Sequence, residues 1–376
     1  MKIAVNTRLL VPNKMDGIAR FSYETLQIIT RTHPEVQFTF IFDRSVEKSA
    51  FQFPNNVTFI SFGPPARHPI LWILWFEMRL KNYINRNDFD LLLSPEGWVP
   101  PNLNCKSLAV IHDLNFEHHP ENIIWSHRKY LLYFFPKFTQ RATRIATVSE
   151  YSKQDISSTY KIPATQIDVV YNGANEVFKP ASKANQLQFK NSHSSKSDFF
   201  IFIGTIHPRK NLDHLLLAFE EFKSRSTNEI KLLIVGNKKW WPKELEKVYE
   251  SMKFKEDVHF LGRLSDKELS EALSSALALT YLPYFEGFGI PILEAFHAET
   301  AVITSNVTSM PEVAADAAVF CNPKKVNKIA DAMQLIVNQP EKRAALIEKG
   351  KLRKQDFSWQ KSANLLWKSI EKTLKV

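Results

Sequence analysis

Glycine is scarce in this sequence, with ten in 376 residues where a usual content of ~7% would give roughly 26. That scarcity excludes collagen-like repeats and glycine-rich linkers. It also makes each glycine informative, because such a chain keeps glycine where the backbone needs positive φ or a close approach. Cysteine is scarcer still. Cys105 and Cys321 are far apart, with no Cys or His at metal-ligand spacing, which excludes a disulfide framework and a zinc site and fits a reducing compartment. Long apolar runs are missing as well: the most apolar stretch, Pro69 to Phe76 (P-I-L-W-I-L-W-F), is well short of the ~20 residues that span a bilayer. It can touch a membrane but not cross it. The opening M-K-I-A-V-N-T-R holds an apolar run too short for a signal peptide and reads as a first strand, so a cytoplasmic location is expected.

What is present is a large apolar fraction, 44%, ample for two cores at about 150 residues per domain, and a basic excess giving a formal charge of +10. Part of the excess lies between Asn122 and Pro163, where Arg128, Lys129, Lys137, Arg141, Arg144, Lys153 and Lys161 face only Glu150 and Asp155. Such a balance suits nucleic acid, an anionic membrane surface or phosphorylated substrates, and equally a set of solvated helix faces. No zinc-finger, RNP or helix-turn-helix signature supports nucleic acid, which is not expected as a partner.

Short β-branched and aromatic runs alternate with longer amphipathic stretches, the pattern of an α/β protein with mostly parallel sheets. Strands are expected at 2–10, 36–43, 57–62, 90–94, 107–111, 145–148 and 167–171, and in a second series at 199–203, 231–235, 258–261, 277–282 and 302–304. Between the two series, 179–197 turns polar and reads as a linker or surface loop. Ser265 and Glu268 form a capping box. Two nucleotide-binding-like halves with a cleft between them is the economical architecture.

Several stretches carry chemistry. In F-I-F-I-G-T-I-H-P-R-K-N-L, residues 200–212, a buried strand ends at Gly204 and Thr205, and Arg209 and Lys210 stand at the edge where open α/β sheets bind ligands. The pair suits a diphosphate, Arg by its planar fork and Lys as a point charge; alone, it reads equally as two exposed residues of a turn. Asn211 is expected to cap the following helix. In L-P-Y-F-E-G-F-G-I-P-I-L-E-A, residues 282–295, Gly287 and Gly289 lie between a strand and a helix with Pro291 near its first turn. Backbone N–H groups there, with the helix dipole, suit a phosphate or sugar oxygen. Glu286 can accept from sugar hydroxyls and Glu294 from a ribose, although both also read as a turn residue and a solvated helix residue. In L-A-V-I-H-D-L, residues 108–114, His112 and Asp113 end an apolar strand, where the histidine can meet a reacting sugar and Asp113 can orient it or take a proton. Nearby His118 and His119 read as structural. Asp16-Gly17 opens a helix after the first strand, and Gly262-Arg263 ends another strand in the same manner.

Taken in order, G-T-I-H-P-R-K-N-L at 204–212, L-G-R at 261–263, E-G-F-G-I-P-I-L-E at 286–294 and S-N-V-T-S-M-P-E-V at 305–313 resemble the retaining family 4 glycosyltransferases of GT-B fold. Among these the likeness is to the bacterial mannosyltransferase-like branch that builds O-antigen and other surface polysaccharides. The match is strong over 204–323 and looser in the first half, through Gly17, I-H-D at 111–113 and T-V-S-E-Y-S at 147–152.

The resemblance implies two Rossmann-like doubly wound domains facing across a cleft: 1–178 binding acceptor, 198–356 binding the nucleotide sugar, 179–197 joining them, and a C-terminal helix in 357–376 packing back on the first domain. It implies that Arg209 and Lys210 hold the donor diphosphate and, with His112 and Glu286, form the catalytic set. Gly17, Asp113, Gly204, Thr205, Arg263, Gly287, Phe288, Gly289, Ile290 and Glu294 would bind substrate, Glu294 on the ribose and Arg263 near the base. Family members retain anomeric configuration by same-face attack without a protein nucleophile, so no covalent carboxylate is assigned. No metal or other cofactor is expected beyond the nucleoside-diphosphate sugar itself. The implied acceptor is a glycan, lipid-linked, with the enzyme peripheral on the inner face of the membrane. The Trp72, Trp75, Phe76 cluster and the basic excess motivate the lipid, while those rings read first as core. A sucrose-synthase-like enzyme with a soluble acceptor and a non-catalytic nucleotide- or glycan-binding protein are the alternatives. The sequence departs from the family at Glu299 and Ala301, where a small residue and a proline are common, and at Asp16, where a second glycine is frequent.

Overall fold

The computed structural model describes all residues except 13, 14, 16 and 238–240; Asp16 therefore lies outside the described residues. The chain divides into two compact units, one of residues 1–173 with 359–376 and the other of residues 174–358.

The first unit is built on a seven-stranded sheet in the order β3-β2-β1-β4-β5-β6-β7. Its strands are β1 (Lys2–Asn6), β2 (Gln37–Phe42), β3 (Val57–Ser61), β4 (Leu91–Ser94), β5 (Lys106–Ile111), β6 (Arg144–Thr147) and β7 (Ile167–Val169). The second unit holds β8 (Phe199–Ile203), β9 (Lys231–Val235), β10 (Val258–Gly262), β11 (Ala278–Tyr281), β12 (Ala301–Ser305) and β13 (Val319–Cys321), in the order β10-β9-β8-β11-β12-β13. Every pairing is parallel. Both sheets are thus doubly wound, with the strand order reversing between β1 and β4 in one and between β8 and β11 in the other. At such a switch point two connections leave in opposite directions and open a crevice at the carboxyl ends of the strands. The unbroken apolar run of β8, F-F-I-F-I, is buried at every residue, as a central parallel strand covered on both faces must be.

The helix Trp359–Lys375 closes the first unit, burying Trp359, Leu366 and Ile370. Lys372 Nζ reaches Asp168 Oδ1 at 2.6 Å, and Trp367 stacks on His33 with ring centroids 3.6 Å apart.

Two expectations change. The polar stretch at 179–197 contains a helix, Lys183–His193, capped by the Ser182 hydroxyl on the Asn185 N–H and burying only Phe189. A helix that is polar almost all round has no 3.6-residue signal to read. β13 is a three-residue edge strand, too short to show a pattern. Trp72, Trp75 and Phe76, which read first as core, are core residues of the helical stretch 69–85. The indoles donate to the carbonyls of Ala66 and Phe62, at 2.8 and 3.0 Å, so they are not the rings a lipid would meet.

Candidate active site

The second unit's switch point collects most of the charged residues singled out above. β8 ends at Gly204, which has φ +145°; a Cβ there would lie 3.6 Å from Lys210 Cε, so the glycine forms the floor on which the lysine side chain rests. After it, Pro208–Lys210 make a single turn of 3-10 helix that carries Arg209 and Lys210 back over the strand end. Asn211 does not cap the next helix with its side chain, contrary to expectation. Its backbone is left-handed at φ +61°, and its amide donates to the carbonyls of Leu282 and Pro323, at 3.0 and 2.8 Å. The residue ties the β8 loop to the β11 loop, and the backbone bond from Tyr284 N–H to the Arg209 carbonyl, at 3.1 Å, does the same.

The β11 loop supplies the opposing carboxylate. Gly289, at φ +101°, begins the helix Ile290–His297, and a Cβ there would meet Met310 Cε at 2.7 Å. Ser309, fully buried, donates its hydroxyl toward the carbonyls of Glu286 and Phe288, at 2.9 and 3.2 Å. The loop so fixed turns Glu286 inward. Its Oε1 receives Lys210 Nζ at 2.5 Å and also Arg209 Nη1. Burial works to raise the Glu286 pKa, yet the Arg209 and Lys210 cations, with hydrogen bonds from Lys210 and Tyr281, outweigh it and hold the carboxyl below its usual range. Tyr281, the last residue of β11, is wholly buried and accepts a hydrogen bond from Lys210 Nζ at 2.6 Å.

The other singled-out residues take varied places. Gly287, Phe288 and Ile290 surround the start of the helix, and Glu294 lies one turn along it, close enough for its charge to help raise the Tyr281 phenol. Thr205 is exposed at the end of β8, and Arg263 is exposed after β10, on the same edge but two strands from the switch point. In the first unit, Gly17 begins the helix Gly17–Thr32. His112 follows β5 with its Nε2 at 2.9 Å from the Pro95 carbonyl and its ring edge-on to Phe21 at 5.1 Å. A ring nitrogen facing a carbonyl carries the proton, so in the neutral ring the lone pair is on Nδ1. Pro95 orients this histidine; Asp113 Oδ1 accepts from the Asn115 N–H at 3.0 Å and shapes the turn.

Sequence reasoning missed two features. One is Tyr281, which reads as the apolar end of a strand. The other is the first unit's own switch point, where Glu96 pairs with Arg8 and accepts from Asn6 Nδ2 at 2.6 Å. Arg8 and Glu96 sit in loops whose local pattern resembles any strand-to-helix turn. Among the described residues no three His, Cys, Asp or Glu side chains are grouped to hold a metal, and no helix is long and apolar enough to cross a membrane.

Both halves of the chain match known protein families. Residues 183–353 match the family model for glycosyl transferases group 1, and residues 16–177 match that for Glycosyltransferase Family 4. The O-antigen chain mannosyltransferase B of Escherichia coli is 27% identical over 271 residues, 71% of this chain and 70% of that protein. The O-antigen chain mannosyltransferase RfbU of Salmonella typhimurium is 27% identical over 289 residues, 77% of this chain and 76% of that protein. Among solved structures, sucrose-phosphate synthase from Thermosynechococcus elongatus superposes with a TM-score of 0.80 at 17% identity, covering 99% of this chain and 98% of that one. The fold is GT-B.

Proposed function

The chain belongs to the glycosyltransferases, with a family 4 domain and a group 1 domain in turn, and from that premise we propose that it moves a hexose, mannose in the first instance, from a nucleoside-diphosphate donor to a growing, lipid-linked surface glycan with retention of configuration. The observation that carries this reading is the convergence of Arg209 and Lys210 on one carboxylate at a sheet's switch point. Two cations held there by neighbouring loops suit a diphosphate. The likeness to O-antigen mannosyltransferases supports mannose and the surface glycan.

In this mechanism the diphosphate lies over Gly204 and against the amides of Gly287, Phe288, Gly289 and Ile290. The bond from the anomeric carbon to the phosphate oxygen breaks, and its electron pair goes to that oxygen. Arg209 and Lys210 stabilise the charge as it develops, which is work that a bound metal does in other transferases. The acceptor hydroxyl attacks the face the diphosphate leaves, and its proton passes to the departing phosphate. Glu286 is assigned to the hydroxyls of the transferred sugar, Glu294 to the ribose and Arg263 to the base. Thr205 and Gly17 are assigned to donor contacts. In the first unit, the acceptor-binding one in this reading, His112 is assigned to the sugar and Asp113 to the turn that holds it.

A peripheral position on the inner face of the membrane belongs to the same proposal. What supports it is the outer surface of the helix Trp125–Arg141 and of the neighbouring stretch 69–85. Ile70, Ile124, Trp125 and Tyr133 are 69%, 58%, 65% and 61% exposed. Lys129 Nζ lies 4.2 Å over the Trp125 ring and Lys137 Nζ 3.4 Å over Tyr133. Exposed rings flanked by cations suit the headgroup region of an anionic bilayer.

Incubation with GDP-mannose, UDP-glucose and a lipid-linked acceptor tests the activity, and the anomeric coupling of the product by NMR tests retention. An inverted product refutes retention. Nucleotide binding without transfer from any donor favours the non-catalytic alternative. Vesicles containing phosphatidylglycerol should retain the protein at low salt, and Trp125→Ala with Lys129→Glu should release it; equal retention of the variant refutes the membrane face.

A further inference from the structure

Tyr281 is a polar residue where the fold asks for none. It ends the strand A-L-T-Y, buried at all four residues, and a phenylalanine would fill the same space. Both hydrogen-bonding capacities of its hydroxyl are used inside the charged cluster. It accepts from Lys210 Nζ at 2.6 Å and donates to the Glu286 carboxylate, while the same ammonium lies 4.8 Å from the centre of its ring. Burial and the neighbouring Glu286 charge push the phenol well above its ordinary range, so it stays a neutral hydroxyl throughout the working pH. Lys210 is therefore held from three sides: the floor at Gly204, the Glu286 carboxylate and the Tyr281 oxygen.

Lys210 Nζ already touches the Glu286 carboxylate at 2.5 Å, and the Tyr281 oxygen gives the ammonium a second fixed direction. When that oxygen is deleted, the ammonium, on a four-carbon stem with rotatable donors, turns about its contact with the carboxylate and loses the set direction. We propose that Tyr281 is a positioning residue for donor chemistry: its hydroxyl sets the direction of Lys210 and keeps the ammonium available to the leaving diphosphate. Tyr281 touches no substrate in this scheme and acts only through Lys210. The inference rests on the assignment of Arg209 and Lys210 to the diphosphate.

The test is Tyr281→Phe, which keeps the ring, its packing and its face toward the lysine while deleting one oxygen. Hydrogen bonds to charged groups are among the stronger ones, and their effect here falls on a charge that grows in the transition state. The expected result is a loss of about 10- to 50-fold in kcat with donor KM changed less than about 3-fold. UDP and GDP binding, measured by calorimetry in wild type, Tyr281→Phe, Lys210→Ala and the double variant, closes a cycle. Tyr281→Phe should weaken nucleotide binding about 3- to 10-fold in the native background and not at all once Lys210 is gone. A full effect of Tyr281→Phe in the Lys210→Ala background makes the role structural and overturns the proposal, as does unchanged kcat in the single variant. If Lys210→Ala itself binds UDP and GDP like wild type, the diphosphate assignment fails and takes this inference with it. Unchanged behaviour of Tyr281→Phe beside an impaired Lys210→Ala defeats the inference alone. Melting curves establish that each variant is folded; should Tyr281→Phe not fold, 4-fluorophenylalanine at position 281 makes the same deletion with a closer match in size.

Discussion

Replacing Glu286 by glutamine removes one negative charge and almost no volume, and its consequences can be worked from the cluster. Arg209 and Lys210 share this carboxylate, with Lys210 and Glu286 side chains each 11% exposed and Arg209 26%. Two charges about 4 Å apart at an effective dielectric near 20 interact by roughly 4 kcal/mol before desolvation is counted. Breaking one partner from a buried pair costs about 3–5 kcal/mol, and water reaching Arg209 reduces that here. A loss of about 2–4 kcal/mol in the second unit follows, which lowers its melting temperature by on the order of 10 °C at this domain size. The same change raises the charge offered to a diphosphate from one net positive to two. UDP or GDP should therefore restore more of the lost stability in Glu286→Gln than it adds to wild type, with ligand at 100 times its Kd contributing about 2.7 kcal/mol. Transfer should still fall about 100-fold or more, because the proposed sugar contact and the ion pair that holds Lys210 are lost together. Thermal unfolding with and without each nucleotide, beside a transfer assay, reads all of this. A variant that melts like wild type, or gains less from nucleotide than wild type does, refutes the claim that Glu286 neutralises the phosphate-binding cations.

Other outcomes follow from single contacts. Gly289→Ala should cost about 1–3 kcal/mol and most donor binding, since φ is +101° and the new Cβ meets Met310 at 2.7 Å; calorimetry with UDP and GDP reads the binding loss, and unfolding curves read the rest. Glu299, where the family has a small residue, sits at φ +58° in the turn before β12, so Glu299→Gly should stabilise the chain by about 0.5–1 kcal/mol in urea unfolding. Burial works to raise Asp168, but hydrogen bonds from Arg144, Lys372 and Ser369 hold it below its usual range. Its contribution is therefore complete above the unfolded value of about 3.9 and disappears as pH falls through the lower folded value. Asp168→Asn should be less stable than wild type by about 1–3 kcal/mol at pH 7, a difference that narrows in unfolding curves taken at successively lower pH below about 3.9.

How legible all this is in the sequence varies with the physics of each element. β8 and β9 are readable to the residue, 199–203 and 231–235, because buried parallel strands are continuous apolar runs bounded by glycine. The helix Lys183–His193 is hidden because it buries one side chain, and β13 because it is three residues long. At the site, the glycines point to the loops, and scarcity is what makes them visible. The partnership of Arg209 and Lys210 with Glu286 is invisible locally, since it joins residues 77 and 76 apart and depends on β8 lying beside β11. Tyr281 is harder still: its hydroxyl sits in an apolar strand, and only the placement of Lys210 above it shows what the oxygen does. Asn211 shows the opposite case, in which a residue suited to capping is drawn by its left-handed backbone into joining two loops.

The role proposed for Arg209 and Lys210 is to hold the donor diphosphate of a transferred hexose. Transfer of labelled sugar from GDP-mannose to the lipid-linked acceptor, compared between wild type, Arg209→Ala and Lys210→Ala, tests it most directly. Loss of about 100-fold or more in kcat/KM for each variant, with a cooperative melting transition showing that each is folded, is the result expected. Transfer at near wild-type rates in both variants would contradict it.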